Sequence, residues 1–229
     1  MKKILHIILI TIISLTVISC SSSDDSKTTT TSSVSFVAVG TSGTLLTSSD
    51  GTSWTSRTSG TSNGLQRVIY ANSTFVTVGD SGTILTSSDG TSWDNRTSGT
   101  SNGLQRVIYA NSDFIVVGDA GIILRSSDGI SWATSTPLTT ANIYGSYYVN
   151  SSFVMVGQSG TIITSLNDGS DWDNRTSGTT NRLYKVTYGN SAFVAVGLSG
   201  TVLTSSDGTT WTSRTSGTTE TLHGIAYKE

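Results

Sequence analysis

From Val34 onward the chain says nearly the same thing every 39 or 40 residues. "FVAVG", "FVTVG", "FIVVG", "FVMVG" and "FVAVG" begin at Phe36, Phe75, Phe114, Phe153 and Phe193, in steps of 39, 39, 39 and 40. A tryptophan column (Trp54, Trp93, Trp132, Trp172, Trp211) steps by 39, 39, 40 and 39. A tyrosine column (Tyr70, Tyr109, Tyr148, Tyr188, Tyr227) keeps the same beat, and the one extra residue falls in "LNDGSDW" (166–172). A period of this length marks a supersecondary unit that must stack on its neighbours to bury its apolar residues.

Each unit predicts four short strands. In the second they are "LQRVIYA" (A, 65–71), "FVTVG" (B, 75–79), "TILTS" (C, 83–87) and "SWDNR" (D, 92–96). All are rich in β-branched or aromatic residues and bounded by Gly, Asn or Ser. No 3.6-residue apolar period runs for more than a turn, so helices are not expected. "GDSG" predicts a tight turn from B to C. "SSDG" turns C into D, with Asp-Gly expected to supply the positive φ angles of a two-residue hairpin.

The phase of the repeat then sets the architecture. The periodic region enters at strand B (Phe36) and leaves after strand A in "LHGIAYKE" (222–229). Those two partial units add up to one whole repeat. The expectation is an all-β fold, a five-bladed β-propeller of four-stranded antiparallel blades over residues 34–229. It would be closed by the C-terminal strand A joining the N-terminal strands B, C and D, which leaves no orphan edge.

The fixed residues of the C–D turn read as scaffold. The carboxylates of Asp50, Asp89, Asp128, Asp168 and Asp207 are expected to accept backbone N–H groups across the turn. The five tryptophans are expected to bury large rings between neighbouring blades. A catalytic group is rarely needed five times at equivalent positions, whereas a turn latch is.

"GTILTSSDGTSW" (82–93) resembles the repeat of Asp-box (BNR-type) propellers, and is similar in particular to photosystem II stability/assembly-factor-like propellers. The resemblance covers residues 34–229. It departs from the usual box in having Asp and Gly adjacent, with two residues before Trp, so it bears on fold more than on activity. It implies that the C–D turns lie on one face and the B–C and D–A connections on the other. On that second face the repeats differ, and there a ligand is expected. At the start of strand A the pairs are Gln66-Arg67, Gln105-Arg106, Tyr144-Gly145, Tyr184-Lys185 and His223-Gly224. The preceding loop offers Asn63, Asn102, Asn142, Arg182 and Glu220, and the B–C turns offer Asp80 and Asp119 among others. Aromatics, amides, cations and a few acids at one mouth predict a polar binding surface for a glycan or a partner protein.

Enzymatic activity is not expected. Sialidases use Asp-box propellers, but Arg57, Arg96, Arg175 and Arg214 all follow Trp by three residues on strand D, away from the mouth. A glycoside hydrolase using Asp80, Asp119 and Glu220 is the alternative, since two carboxylates at suitable spacing would be needed. An envelope assembly factor is a further alternative, by analogy with the resembling family. The repeat region has one histidine, His223, and no cysteine, so no triad, metal centre or cofactor is expected.

The first nineteen residues read as a signal peptide: Lys2 and Lys3, then the apolar run 4–18. "VISC" (17–20) resembles the lipobox of bacterial lipoproteins, which implies cleavage before Cys20 and lipidation of its thiol. Residues 20–33, with no apolar side chain after Cys20, read as a disordered tether. Ser21 after Cys20 favours the outer membrane of the cell envelope, with periplasmic or outward orientation left open. Loss of Lys2 and Lys3 leaves 11 basic against 15 acidic side chains, a net charge near −4. That balance argues against nucleic acid. The expected partners are therefore the membrane, through the lipid, and a glycan or protein, bound by a monomer.

Overall fold

The computed structural model describes residues 33–228. The expected signal peptide, Cys20 and the tether up to residue 32 lie outside them, and no described helix is long and apolar enough to cross a membrane.

The described chain forms five antiparallel sheets in sequence order. The first has three strands: β1 (Phe36–Val39), β2 (Leu45–Ser48) and β3 (Thr55–Ser56). The second is β4 (Leu65–Ala71), β5 (Thr74–Gly79), β6 (Ile84–Ser87) and β7 (Asp94–Arg96). The third is β8 (Leu104–Ala110), β9 (Asp113–Gly118), β10 (Ile123–Ser126) and β11 (Ala133–Thr134). The fourth is β12 (Ile143–Val149), β13 (Ser152–Gly157), β14 (Ile162–Ser165) and β15 (Asp173–Arg175). The fifth is β16 (Leu183–Gly189), β17 (Ala192–Gly197), β18 (Val202–Ser205) and β19 (Thr212–Arg214). Neighbours within each sheet are also neighbours in sequence, so every connection is a hairpin.

The turns follow local chemistry. The two-residue hairpins with left-handed backbone are the A–B links: Asn72 and Ser73 have φ of 46° and 56°, and Asn-Ser recurs at 111–112, 150–151 and 190–191. Such φ values suit the right-handed twist of the flanking strands. Each B–C link is a single 3₁₀ turn, such as Asp80–Gly82. In four of the five C–D turns the expectation of paired positive φ values fails, and it holds in the fourth, at Asp168 (59°) and Gly169 (82°). Gly90 sits at φ 74°, but Asp89 does not enter the left-handed region.

The C–D turn is latched by side chains instead. Oδ1 of Asp89 accepts the N–H groups of Thr91 (2.7 Å) and Ser92 (2.9 Å). Ser87 Oγ donates to the same carboxylate (3.0 Å) and accepts the Gly90 N–H (2.8 Å). Trp93 Nε1 donates back to the Gly90 carbonyl (3.0 Å). The turns at Asp50, Asp128 and Asp207 repeat this arrangement. The fourth corrects the expectation for Asp168. There the inserted residue shifts the latch to Asn167, whose Oδ1 accepts the Ser165 hydroxyl (2.9 Å) and the Asp171 N–H (3.0 Å). Asp168 is displaced to φ 59°, and its carboxylate accepts the Tyr148 hydroxyl instead (2.6 Å).

The core consists of apolar layers between sheets rather than one central cluster. Val76, Val78 and Ile84 of the second sheet meet Leu104, Val107, Phe114, Val116 and Leu124 of the third. Ile115, Val117 and Ile123 meet Ile143, Phe153, Met155 and Ile163 across the next junction. Val154, Val156 and Ile162 meet Leu183, Val186, Phe193 and Leu203 across the last. Trp93, Trp132, Trp172 and Trp211 pack on the edges of these layers and are half-buried, while Trp54 is 44% exposed. The rings therefore seal the junctions rather than fill them. On strand D, Nε of Arg57, Arg96, Arg175 and Arg214 donates to a threonine hydroxyl of strand C, which ties the outer strand inward.

The two ends of the row are less complete. Phe36 is 49% exposed, against 0% for Phe114 and 1% for Phe153 at the equivalent place. Val194 and Val202 are half-buried, where Val154 and Ile162 are at 0% and 1%. The ladder expected between the C-terminal segment and Phe36–Val39 is not formed among the described residues. The Leu222 N–H instead donates to the Gly197 carbonyl (2.9 Å), as Leu65 does to Gly40. Tyr227 lies directly over Gly189. The segment thus takes the place of a strand A beside the fifth sheet without pairing to β1.

Two predictions follow from this packing. Thr77 is fully buried with an unpartnered hydroxyl, and the equivalent residue in the third sheet is Val116. Thr77→Val is expected to raise stability by about 1–2 kcal/mol in denaturant titrations; a loss would show that the hydroxyl has a partner. The second concerns the latches. The carboxyls of Asp50, Asp89 and Asp207 are held far below the usual range, mainly by the Ser53 N–H, the Thr91 hydroxyl and the Thr210 N–H respectively. A folded-state value below the unfolded one, about 3.9, means that their contribution is full well above that pH and is lost as pH falls through the folded value. Carbon-detected titration of Asp89 should place its midpoint clearly below that of an unfolded peptide. A midpoint near about 3.9 would remove the latch.

Candidate functional site

All four complete inner strands start with the same irregularity. The register slips between Leu65 and Arg67, Leu104 and Arg106, Ile143 and Gly145, and Leu183 and Lys185. A bulge sets two residues opposite one on the partner strand and re-aims their side chains. The bulged pairs are Gln66-Arg67, Gln105-Arg106, Tyr144-Gly145 and Tyr184-Lys185, so the variable pairs of the sequence stand at one structural position in successive sheets. The inner strands pack in the order β4, β8, β12, β16, which brings these positions side by side.

In the second and third sheets the first residue of the pair is occupied locally. Gln66 Nε2 donates to Asp80 Oδ1 (3.0 Å), and Gln105 Nε2 to Asp119 Oδ1 (3.1 Å). Each carboxylate also lies close over Gly64 or Gly103, where a Cβ would collide with it. Asp80 and Asp119 thus brace the strand entrance of their own sheets.

In the fourth and fifth sheets the position holds tyrosines, and these meet. The Tyr144 and Tyr184 ring centroids are 6.1 Å apart, and the His223 ring lies 5.0 Å beyond Tyr184. The Arg182 guanidinium is 5.3 Å from the Tyr144 centroid and 5.7 Å from that of Tyr184. It also donates to the Tyr184 hydroxyl at 3.4 Å. Rings of this kind supply apolar area with a polar tip, and a cation near their faces adds electrostatic attraction. Glu220 is exposed, and its carbonyl accepts the Gly200 N–H (2.7 Å).

The second residues of the pairs are cationic in three of the four sheets. Arg106 is half-buried, and its Nε donates to Ser146 Oγ on β12 (3.1 Å). Burial and then the charge of Arg67 push its pKa down. Lys185 is pushed down by burial, then by Arg106, then by Arg67. Arg67, Arg106 and Lys185 therefore repel one another across sheets.

Of the residues expected at the mouth, Asn63 and Asn142 make bonds to the B–C turns, Nδ2 of Asn63 donating to Thr83 Oγ1 (2.8 Å) and Oδ1 of Asn142 accepting the Ala120 N–H (3.1 Å). The structure joins Tyr144, Tyr184, Arg182 and His223 into one row, Arg67, Arg106 and Lys185 into one charged group, and Gln66 with Asp80 and Gln105 with Asp119 into two braces. Glu220 has no side-chain bond to any of them among the described residues. The bulge and the Ser146 partner escaped sequence reasoning. The bulge's signal was present as two adjacent variable residues inside an otherwise constant strand. Open grooves between successive D–A loops, such as that lined by Thr161, Asn174, Arg175 and Asn181, lie away from these side chains. No group of three or more His, Cys, Asp or Glu suited to a metal ion occurs among the described residues.

No protein-family model and no curated protein sequence matches the chain. Solved structures do. A structure of YCF48 bound to D1 peptide superposes with a TM-score of 0.60 at 18% identity, over 77% of this chain and 61% of that one. YCF48 from Cyanidioschyzon merolae superposes with a TM-score of 0.56 at 16% identity, over 78% and 68%. An ancestral GH74 enzyme gives 0.52 at 17% identity, over 64% of this chain and 23% of that one. The chain spans about three fifths of the length of the first of these. At such identities the likeness concerns the fold alone: this chain is similar to β-propellers, both binding proteins and enzymes.

Proposed function

We propose that the protein is a lipid-anchored recognition module of the bacterial envelope that binds a segment of a partner protein at the mouth built on the bulged inner strands. The observation that carries this reading is the row Tyr144–Tyr184–His223 with Arg182 across it. Tyr and Arg are the residues on which protein interfaces concentrate their binding energy. A propeller of similar fold, YCF48, has been seen with a D1 peptide bound, which supports a peptide-binding use of such a scaffold. "VISC" at 17–20 supports the anchor, and Ser21 after Cys20 supports its outer-membrane address.

The reading includes ring closure. The half-open faces at Phe36 and at Val194 and Val202 are the two halves of a junction of the kind found between the other sheets. Residues 222–227 as a fourth strand on β1 would complete a fifth blade and remove the free edge.

A glycan is the second reading, since the same tyrosine row suits the apolar face of a sugar ring. Glycoside hydrolysis is less well supported, because Asp80 and Asp119 are each engaged by the glutamine of their own sheet.

Site-specific photocrosslinking from the exposed position 220 in cells, with position 70 at the far end of an inner strand as a control, tests the reading. A defined protein adduct is expected from 220 and not from 70, and it should disappear in the Tyr144→Ala/Tyr184→Ala double variant while the melting temperature is kept. An adduct that survives the double variant would place recognition elsewhere. A glycan array bound by the protein and lost with the same pair would turn the reading to a lectin.

A further inference from the structure

The cations of the bulge have a feature that the tyrosine row does not explain. Three arginines are matched, Arg96 with Asp94 and Arg175 with Asp173, each at 2.9 Å, and Arg125 with Asp113, while Arg57 and Arg214 lie along threonine hydroxyls and Arg182 along the tyrosine row. Arg67, Arg106 and Lys185 have no carboxylate within salt-bridge distance among the described residues. Their environment is a serine hydroxyl and one another. The whole chain is acidic, with a net charge of −2, yet three positive groups converge at the start of the inner strands.

The fold enforces that convergence. Arg67 stands opposite Val78, Arg106 opposite Val117 and Lys185 opposite Val196, one register position on three inner strands. The fourth sheet has Gly145 there. A Cβ on Gly145 would lie 2.9 Å from the Tyr184 carbonyl and 3.2 Å from Lys185 Cα, so the glycine lets β12 and β16 approach closely and draws Lys185 inward. Arg106 reaches across to Ser146, the next residue on β12. Arg106 and Lys185 are half-buried and Arg67 is exposed, so the group is open to a ligand from solvent. Burial first, and then the neighbouring cations, lower the pKa of both Arg106 and Lys185.

We infer that Arg67, Arg106 and Lys185, with the Ser146 hydroxyl beside them, form a receptor for a tetrahedral oxyanion, a phosphate or sulfate group. The donors stand at one register position on three separate inner strands, and a compact group with oxygens on every side can engage them together. A single planar carboxylate is matched instead by one forked guanidinium. A doubly charged group also offsets more of the repulsion. The inference rests on the proposed mouth for its biological purpose, but not on the identity of the protein bound there. Two sources fit: the free inorganic ion, or the same group carried on a larger ligand whose body lies along Tyr144 and Tyr184.

Calorimetric titration of the full-length chain with inorganic phosphate, sulfate and acetate tests this. Phosphate and sulfate are expected to saturate a single site and acetate to bind at least about tenfold more weakly, as one charge-assisted contact is lost. Arg67→Gln and Lys185→Gln should each weaken phosphate by about tenfold or more. Because each removes a charge that repels its neighbours, neither should lower the melting temperature of the protein without added anion. Glucose 6-phosphate distinguishes the sources. Binding tighter than inorganic phosphate, and reduced to the inorganic value by Tyr184→Ala, points to a carried group; equal binding points to the free ion. Absence of saturable phosphate or sulfate binding overturns the inference, as does binding that is unchanged in both variants or matched by acetate. If phosphate fails while the crosslink from position 220 persists, the recognition role stands without the oxyanion site. The converse result retains the oxyanion site and removes the protein partner.

Discussion

The structure depends on apolar faces that no sheet can bury by itself. A four-stranded sheet with strands of two to seven residues has two sides, and in this chain both are apolar. Val76 and Ile84 look one way, Phe75 and Leu85 the other, and all four are buried. Only a neighbour on each side removes these faces from water, and burial of this kind is the main favourable term in folding. Every other feature is subordinate to that stacking. The ends of the row, where Phe36 and Val202 lack a full neighbour, show what an unfinished junction costs in exposed surface.

Stacking thin sheets requires that each keep its shape, and the polar turns provide this. The serine and aspartate of the C–D turn close a net of short hydrogen bonds, while the arginine of strand D holds the outermost strand to a threonine of its neighbour. A hydroxyl-rich sequence thereby serves two ends. It solvates a surface that has few charges, and it ties down backbone groups that short strands leave unpaired. The fourth sheet shows that the geometry of the latch matters more than its charge, because Asn167 performs it with an amide oxygen. Displaced by the insertion, Asp168 bonds Tyr148 instead.

The candidate site arises from the same repetition. A bulge at one register position in each inner strand pushes two side chains toward the mouth, and the repeat carries that position around the row. Where the pair begins with glutamine, a neighbouring aspartate holds it. Where it begins with tyrosine, the rings of adjacent sheets come together. Divergence at a repeated structural position is how a uniform scaffold acquires a directional surface, aromatic in the fourth and fifth sheets and cationic in the second, third and fifth.

The sequence by itself determined the period, the four strands per unit, the alternation of their apolar faces and the latch at four of the five C–D turns. These are short-range properties: strand length, turn residues and side chains two or three positions from the backbone they bind. It also delimited the variable pairs from which the mouth is built. Tertiary structure alone decided how those pairs are used. The bulge appears only when strand A is laid against strand B, and the repulsion among Arg67, Arg106 and Lys185 only when three inner strands stand side by side. The shift of the latch from Asp168 to Asn167 needed the count of residues between two fixed strands, which "NDG" alone leaves ambiguous. A chain can state locally which residues turn and which extend; which of them meet is settled by packing, because that depends on the position of every sheet at once.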